Sequence, residues 1–541
     1  MRVFSSLPQA GDESNSVRRI ALIALGLLNS PEAETLILSR KYGSVEEKEA
    51  AMVALGLLET ITPKTEAGLQ KTLHRGAIGP ATMAAWALRY RSDPGNIAFL
   101  KKVLAKKDNC WLASEAILSL GGAKNARGVA LLGNILLATD AVKSLPAWGK
   151  LEKTRKKLLV ILANLRAEKI NYETAHKEYL KKYKNWNKDN PNAPGPAKRR
   201  ELLGTVEIII GREQIYEGRL RASAGIALGR IPDAHLSAAR ALREVLTRKN
   251  DDFNDLPKGM AIMSLGELGD VKSVPILVKI LKNLRVGKWK REKKSPLRGY
   301  AALALGLYSR PETTPQGTRD RPQYEKVCRL LAERMADSEE IIEVRTAAAM
   351  ALGLSGRTEN LKLLRQASRT IGRSRKNEEI LVGYTLLARG MLGDKNIIPI
   401  AKKFLKTAND RRTVSGILSR RAAVLGLGVL GDQEAIPILN KAWHLNHYVN
   451  REVALAYSLC EGYNATEPLL KLLNESENPR ERAFAARCLG ELFTAARPQR
   501  LSRLIANSNY TMKNKRMIRY QALGNEFLFV YLIPAFGEEW R

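Results

Sequence analysis

Residues 419–440 read SRRAAVLGLGVLGDQEAIPILN, and the fold turns on what their glycines are for. Gly426, Gly428 and Gly431 stand in a G-x-G-x-x-G spacing, the signature of a loop that cradles a dinucleotide pyrophosphate. That chemistry needs a strand entering the loop and a helix N-terminus behind it. The residues ahead of the glycines belong instead to a pattern that recurs along the chain. Its small-Leu-Gly core appears at Ala24-Leu25-Gly26, Ala54-Leu55-Gly56, Ser119-Leu120-Gly121, Ala227-Leu228-Gly229, Ser264-Leu265-Gly266, Ala304-Leu305-Gly306, Ala351-Leu352-Gly353 and Cys488-Leu489-Gly490. Successive glycines lie 30 residues apart from Gly26 to Gly56, 37 from Gly229 to Gly266, 40 from Gly266 to Gly306 and 47 from Gly306 to Gly353. Such a period fits stacked helix pairs with loops of changing length.

Each unit reads as two amphipathic helices. In VPILVKILKN, Val274, Leu277, Val278 and Leu281 follow the i, i+3, i+4, i+7 stripe and leave Lys279 and Lys282 outside. In LRGYAALALGLY, Ala301, Ala304, Leu305 and Tyr308 do the same. A glycine inside a helix costs about 1 kcal/mol against alanine, so its recurrence implies close approach of a neighbouring helix. Gly-Asp at 269–270, 393–394 and 431–432 marks the end of one helix and the cap of the next. Pro275, Pro399, Pro437 and Pro468 lie near the starts of the following helices, where a missing backbone donor matters least.

These units resemble HEAT repeats, above all the short variety first noted in phycobilisome-lyase-type proteins. The resemblance is carried by EVRTAAAMALGLSGR (343–357), KGMAIMSLGELGDVKSVPIL (258–277) and NREVALAYSLCEGYNATEPLL (450–470). It implies an all-α protein, a right-handed α-solenoid of about a dozen helix pairs whose second helices line the concave face. It also implies that Arg18, Arg298, Arg345, Arg420, Arg451 and Arg480, each at the start of a second helix, pair inside the solenoid with loop acids such as Asp337. The expected division is a flexible segment over 1–16, repeats over 17–139, an irregular basic insert over 140–216, repeats over 217–505, and a basic segment with an apolar cap over 506–541.

The 541 residues carry 89 Lys and Arg against 55 Asp and Glu, a formal net charge of +34. A field of that strength favours nucleic acid, anionic lipid or acidic protein, and charge alone does not choose among them. The excess is concentrated: 25 of the 34 charges fall on 143–200, 282–298 and 497–519, together 98 residues. The first stretch departs furthest from the repeat. It holds a helical pattern from Lys150, then Tyr172, Tyr179, Tyr183 and Trp186 among lysines, and a Pro-rich loop, NKDNPNAPGPAKRR. Aromatics on a basic track can stack bases; these four also share one helix face, which packing explains equally well.

Basic residues gather where first helices end and in the loops that follow. Loops of one class emerge on one edge of a solenoid, so these clusters are expected to form a stripe, interrupted by the acidic ADSEEIIE (336–343). Cations at helix C-termini offset the macrodipole by roughly 0.3–1 kcal/mol each; that accounts for one or two per helix, not for WKREKK within a loop. The candidate partner-binding residues are Lys153, Arg155, Lys156, Lys157, Lys181, Lys182, Lys184, Trp186, Lys198, Arg199 and Arg200 in the insert. To these are added Lys288, Trp289, Lys290, Arg291, Lys293, Lys294, Arg373, Arg375, Lys376, Arg411 and Arg412 in the loops.

Little in the chain points to catalysis. Cys110, Cys328, Cys460 and Cys488 are widely spaced, with no CxxC pair, and read as small core residues. His444 and His447 lack the third and fourth ligands of a zinc site. The His-Glu dipeptides of HEAT-like metal hydroxylases are absent, and Trp186 with Asp189 only faintly echoes the HEAT-like DNA glycosylases. Bilin-lyase activity has no motif to test. No catalytic, cofactor or metal site is therefore expected. The expected function is a non-catalytic scaffold for an acidic protein, with phosphate-contacting nucleic-acid binding as the alternative and peripheral contact with an anionic membrane left open. The N-terminus lacks an apolar h-region and no run approaches the ~18 apolar residues of a membrane span, so the expected location is cytoplasmic. FLFVYLIPAF (527–536) is expected to cap the last repeat.

Overall fold

The computed structural model describes residues 15–154 apart from short breaks, and part of 156–167. It resumes over 217–445 between loop breaks at 232–234, 249–255, 287–296, 315–316, 371–378 and 408–413, and beyond 445 covers chiefly 466–477. The described chain is helical except for one short β-hairpin. In order come α1 (Asn15–Leu28), α2 (Ala33–Ser39), α3 (Val45–Leu57), α4 (Pro63–Arg75), α5 (Ile78–Leu88), α6 (Pro94–Lys106), α7 (Cys110–Gly122) and α8 (Val129–Leu137). Next are α9, helical at every described position of 146–167, and α10 over 217–229. There follow α11 (His235–Thr247), α12 (Leu256–Leu268), α13 (Val274–Leu281), α14 (Leu297–Tyr308), β1 (Glu312–Thr314) and β2 (Gly317–Arg319). The series closes with α15 (Tyr324–Ala336), α16 (Ile342–Leu354), α17 (Asn360–Thr370), α18 (Glu379–Met391), α19 (Ile397–Thr407), α20 (Val414–Leu430), α21 (Ile436–Leu445) and α22 (Thr466–Glu475).

Two layers result. Second helices stack directly on one another, α1 on α3, α3 on α5, α5 on α7, and again α12 on α14, α14 on α16, α16 on α18 and α18 on α20. First helices cover them on one side and touch more lightly among themselves, as α15 does α17. The glycines explain the close inner layer. A side chain on Gly306 would collide with the Ala351 backbone, and one on Gly390 with the backbone of Gly426. Gly383 meets Ser419 just as Gly390 meets Gly426, one turn pair further along both helices, so α18 and α20 run parallel.

The amphipathic pattern holds for first helices. In α13, Val274, Leu277 and Leu281 are buried while Lys279 faces solvent, and Pro275 occupies the first turn. It does not hold for second helices. Every residue of α14 is buried, Arg298 included, where a stripe was expected. The reason is position: neighbours on both flanks and the outer layer leave a second helix no broad solvent face, and a helix so placed is apolar all round.

Gly426 and Gly428 lie inside α20, and Gly431 ends it with φ +70°. Gly269 and Gly393 end α12 and α18 in the same left-handed conformation. That geometry closes a helix end and strains any residue with a Cβ. A helix, not a strand, enters the glycine stretch, so the nucleotide-loop geometry is absent there. The apolar stretch 527–536 lies outside the described residues.

Candidate functional site

Because second helices run parallel, all loops from a first to a second helix open on one edge, and all loops from a second to the next first helix open on the other. The segments 282–296, 371–378 and 408–413 join α13 to α14, α17 to α18 and α19 to α20, and therefore belong to the first of these edges. So does α9, which lies in the chain between a first helix, α8, and its second helix, α10. These two are partners although 138–216 intervene: Arg221 Nε donates to the Leu136 carbonyl at 3.0 Å, and Gly121 of α7 lies against Ala227 of α10.

Of the candidate residues, Lys153, Lys156 and Lys157 are placed, all exposed on α9. Arg155, Lys181, Lys182, Lys184, Trp186, Lys198, Arg199 and Arg200 lie outside the described residues, as do Lys288, Trp289, Lys290, Arg291, Lys293, Lys294, Arg373, Arg375, Lys376, Arg411 and Arg412. The described helix ends leading to the same edge carry further exposed cations: Lys102 and Lys106 on α6, Lys279 and Lys282 at the end of α13, and Lys402 and Lys406 on α19. Lys150 ties the root of α9 to the preceding loop through Asp108, Nζ to Oδ2 at 2.7 Å, and that hydrogen bond holds the Asp108 carboxyl below its ordinary value.

The opposite edge carries charge of both signs, and its Gly-Asp aspartates are satisfied from within. Asp394 has no accessible side-chain surface and binds Arg389 Nε at 2.7 Å and Arg365 Nη2 at 2.6 Å. Burial pushes its carboxyl up, but the hydrogen bonds from Arg365 and Arg389 outweigh that and hold it well below the carboxylate range. Asp270 pairs in the same way with Arg243 and Ser273. Asp432 accepts from the Glu434 amide at 3.0 Å and pairs with Lys395 at 2.8 Å; the Lys395 hydrogen bond lowers its pKa. Arg357 lies 3.5 Å over the Tyr324 ring, reaches Asp320 at 2.7 Å and donates from Nε to Ser309 at 2.6 Å. The Gly-Asp pairs thus do more than cap helices: each aspartate also holds a cation from a neighbouring element. The signal was in the sequence as an arginine or lysine 27, 29 or 37 residues earlier, as at Arg243, Arg365 and Lys395.

The expected arginine pairing needs one correction. Arg298 forks onto Glu340, with Nη1 to Oε1 at 2.8 Å, whereas Asp337 is held by Arg334 at 3.3 Å. Arg334, three residues from Asp337, reaches both Asp337 and, at 3.6 Å, the deeper Glu340 that Arg298 forks onto. Arg18 pairs with Glu47 at 2.6 Å, and Arg345 and Arg420 bond backbone carbonyls through Nε, at Met335 and Gly416. Arg451 and Arg480 lie outside the described residues. Among those described, Cys110, Cys328 and Cys460 are buried and in no disulfide, and no group of His, Cys, Asp and Glu is placed to hold a metal ion. No described helix is long and apolar enough to cross a membrane.

Residues 419–442 match the family model of the PBS lyase HEAT-like repeat. No curated protein matches the chain. The matched segment covers most of α20 and α21, one second helix and the first helix that follows it, and the same glycine-to-small-residue contacts run from Gly26 to Gly428. The described residues form a helical-repeat array, and its segment 419–442 is similar to a HEAT-like repeat.

Proposed function

We propose that the protein is a non-catalytic scaffold that binds an acidic protein along the edge where its second helices begin. The observation that carries this reading is the separation of charge between the two edges. Acids at the ends of second helices are held in internal ion pairs, while lysines on the opposite edge stand exposed, next to loops such as WKREKK. A partner therefore meets clustered positive charge along the first edge and charge of both signs on the other. In this reading the chain is a right-handed superhelix of about a dozen pairs, with repeats over 17–139 and 217–505, a basic insert over 140–216, and a cap over 506–541.

A second reading, a nucleic-acid partner held by its phosphates, is favoured by the concentration of 25 excess charges on 98 residues. Salt and nuclease separate the two. Recovery of the partner from native extract is expected to survive nuclease treatment. Loss on nuclease, with log K falling linearly in log salt on purified RNA or DNA, assigns the edge to phosphate instead. Retention unaffected by salt and by substitution of the edge lysines overturns both.

A further inference from the structure

The turns from a second helix to the next first helix are short: 269–273 after α12, 392–396 after α18 and 431–435 after α20 hold five residues each. The turn after α14 holds fifteen, 309–323, which lengthens the glycine period to 47 between Gly306 and Gly353. It contains the hairpin β1–β2, and a two-stranded hairpin is marginal in water by itself. Its root, however, is fastened to two different repeats. Arg321 turns back: its guanidinium covers Gly269 at the end of α12, lies 5.6 Å from the centre of the Tyr308 ring and donates from Nη1 to the Tyr308 carbonyl at 3.3 Å. The Tyr308 hydroxyl in turn donates to the Pro322 carbonyl at 2.8 Å. Asp320 reaches the other way and pairs with Arg357, beyond the end of α16, at 2.7 Å. Arg357 also donates to the Ser309 carbonyl and stacks on Tyr324, and Arg310 Nε donates to the Leu354 carbonyl at 2.7 Å.

Gly269 shows that the fastening is built into the fold. Gly356 and Gly393 have a similar left-handed φ, +66° and +76°, with open space where a Cβ would stand. At Gly269, φ +66°, that space holds the Arg321 guanidinium, so glycine is required there by a neighbour as well as by the backbone. Gln323, just before α15, is held at φ +63°, a conformation that a residue with a Cβ keeps only where its surroundings fix it. In a solenoid each repeat touches only its neighbours, and curvature follows from the small rotation between one repeat and the next. Asp320 and Arg321, adjacent in the chain, instead join the end of α12 to the end of α16, two second helices away. We propose that 309–323 is a strap that locks α12, α14 and α16 into one block, which holds its curvature and opens as a unit. This goes beyond the partner reading and does not depend on what the basic edge binds.

The test is native-state amide exchange of the full-length chain at rising urea. In the wild-type protein, amides of α12, α14 and α16 are expected to converge on one opening reaction with one urea dependence. In Arg321→Ala, the α12 amides are expected to leave that reaction and exchange at least about tenfold faster than those of α16. Arg321→Lys keeps the charge and loses the flat guanidinium, and it carries the same expectation should Arg321→Ala fail to fold. Separate openings of α12 and α16 in the wild type overturn the strap, and so does a shared opening that survives in the Arg321 variant. Glycine substitutions check the contact itself. Gly269→Ala should raise the unfolding constant at least about tenfold more than Gly393→Ala, and the two should become equal once Arg321 is replaced by alanine. Equal effects in the wild-type background, or a difference that persists in Arg321→Ala, also overturn it.

Discussion

The two edges of the solenoid are made by the same helices and treat charge in opposite ways. Where second helices end, Asp270, Asp394 and Asp432 are each tied to a cation from a neighbouring element, and Asp394 is fully enclosed. Where second helices begin, Lys102, Lys106, Lys402 and Lys406 are exposed. The first arrangement links one repeat to the next. The second contributes nothing to packing and costs self-repulsion, which a partner of opposite charge relieves. On the proposed reading one edge serves structure and the other binds, and each can then be altered without the other.

The largest expected effect breaks the proposed binding edge alone. Reversing Lys288, Lys290, Arg291, Lys293 and Lys294 to glutamate should lower affinity for a polyanion such as heparin roughly a thousandfold at low salt, about 4 kcal/mol. The melting temperature should stay unchanged; a matching loss of both would show that the two edges are not separable. Next in size is the structural edge. Asp394→Ala leaves buried Arg389 without its carboxylate and should destabilise the protein by about 3 kcal/mol, read by urea denaturation, with polyanion affinity unaltered. Its second partner, Arg365, is 45% exposed, so solvent screens part of the cluster and the lower end of the usual range for a broken buried pair applies.

Acid sharpens the same contrast more mildly. Asp394, Asp432 and Asp108 all have pKa values lowered by their partners. At low pH the unfolded chain binds protons that the folded chain refuses, so the stability from these groups is fully present above their unfolded pKa, ~4, and is lost as pH falls through the folded values. Thermal melts of wild type should fall below about pH 4, and those of Asp394→Asn by less. A parallel fall in both would remove Asp394 from the account. The smallest effect is Lys395→Met, which should leave the melting temperature within scatter, because the lysine is exposed and solvent screens its pair with Asp432.

Residue spacing was enough to place Gly426 and Gly428 in a helix, because a glycine that recurs with small-Leu ahead of it is a packing signal. It was also enough to place Gly269, Gly393 and Gly431 at helix ends, where a left-handed turn suits only a residue without a Cβ. It misjudged the second helices. Ala301, Ala304, Leu305 and Tyr308 looked like a stripe, but Leu303 and Leu307 on the remaining face are buried too. Burial there comes from neighbours whose closeness no single helix reveals. Likewise Asp337 seemed the natural partner for an arginine, and only packing showed Glu340 beneath Arg298.

What the sequence determined by itself is the class and its period: small residues at fixed places in each second helix permit helix-on-helix stacking and little else. It also determined that the excess positive charge is concentrated on 143–200, 282–298 and 497–519. What only the tertiary structure decided is that those loops share an edge, since parallel stacking of second helices is a relation between repeats. It decided, too, that α8 and α10 close one repeat across 138–216, because burial of Gly121 against Ala227 depends on contacts between residues far apart in the chain.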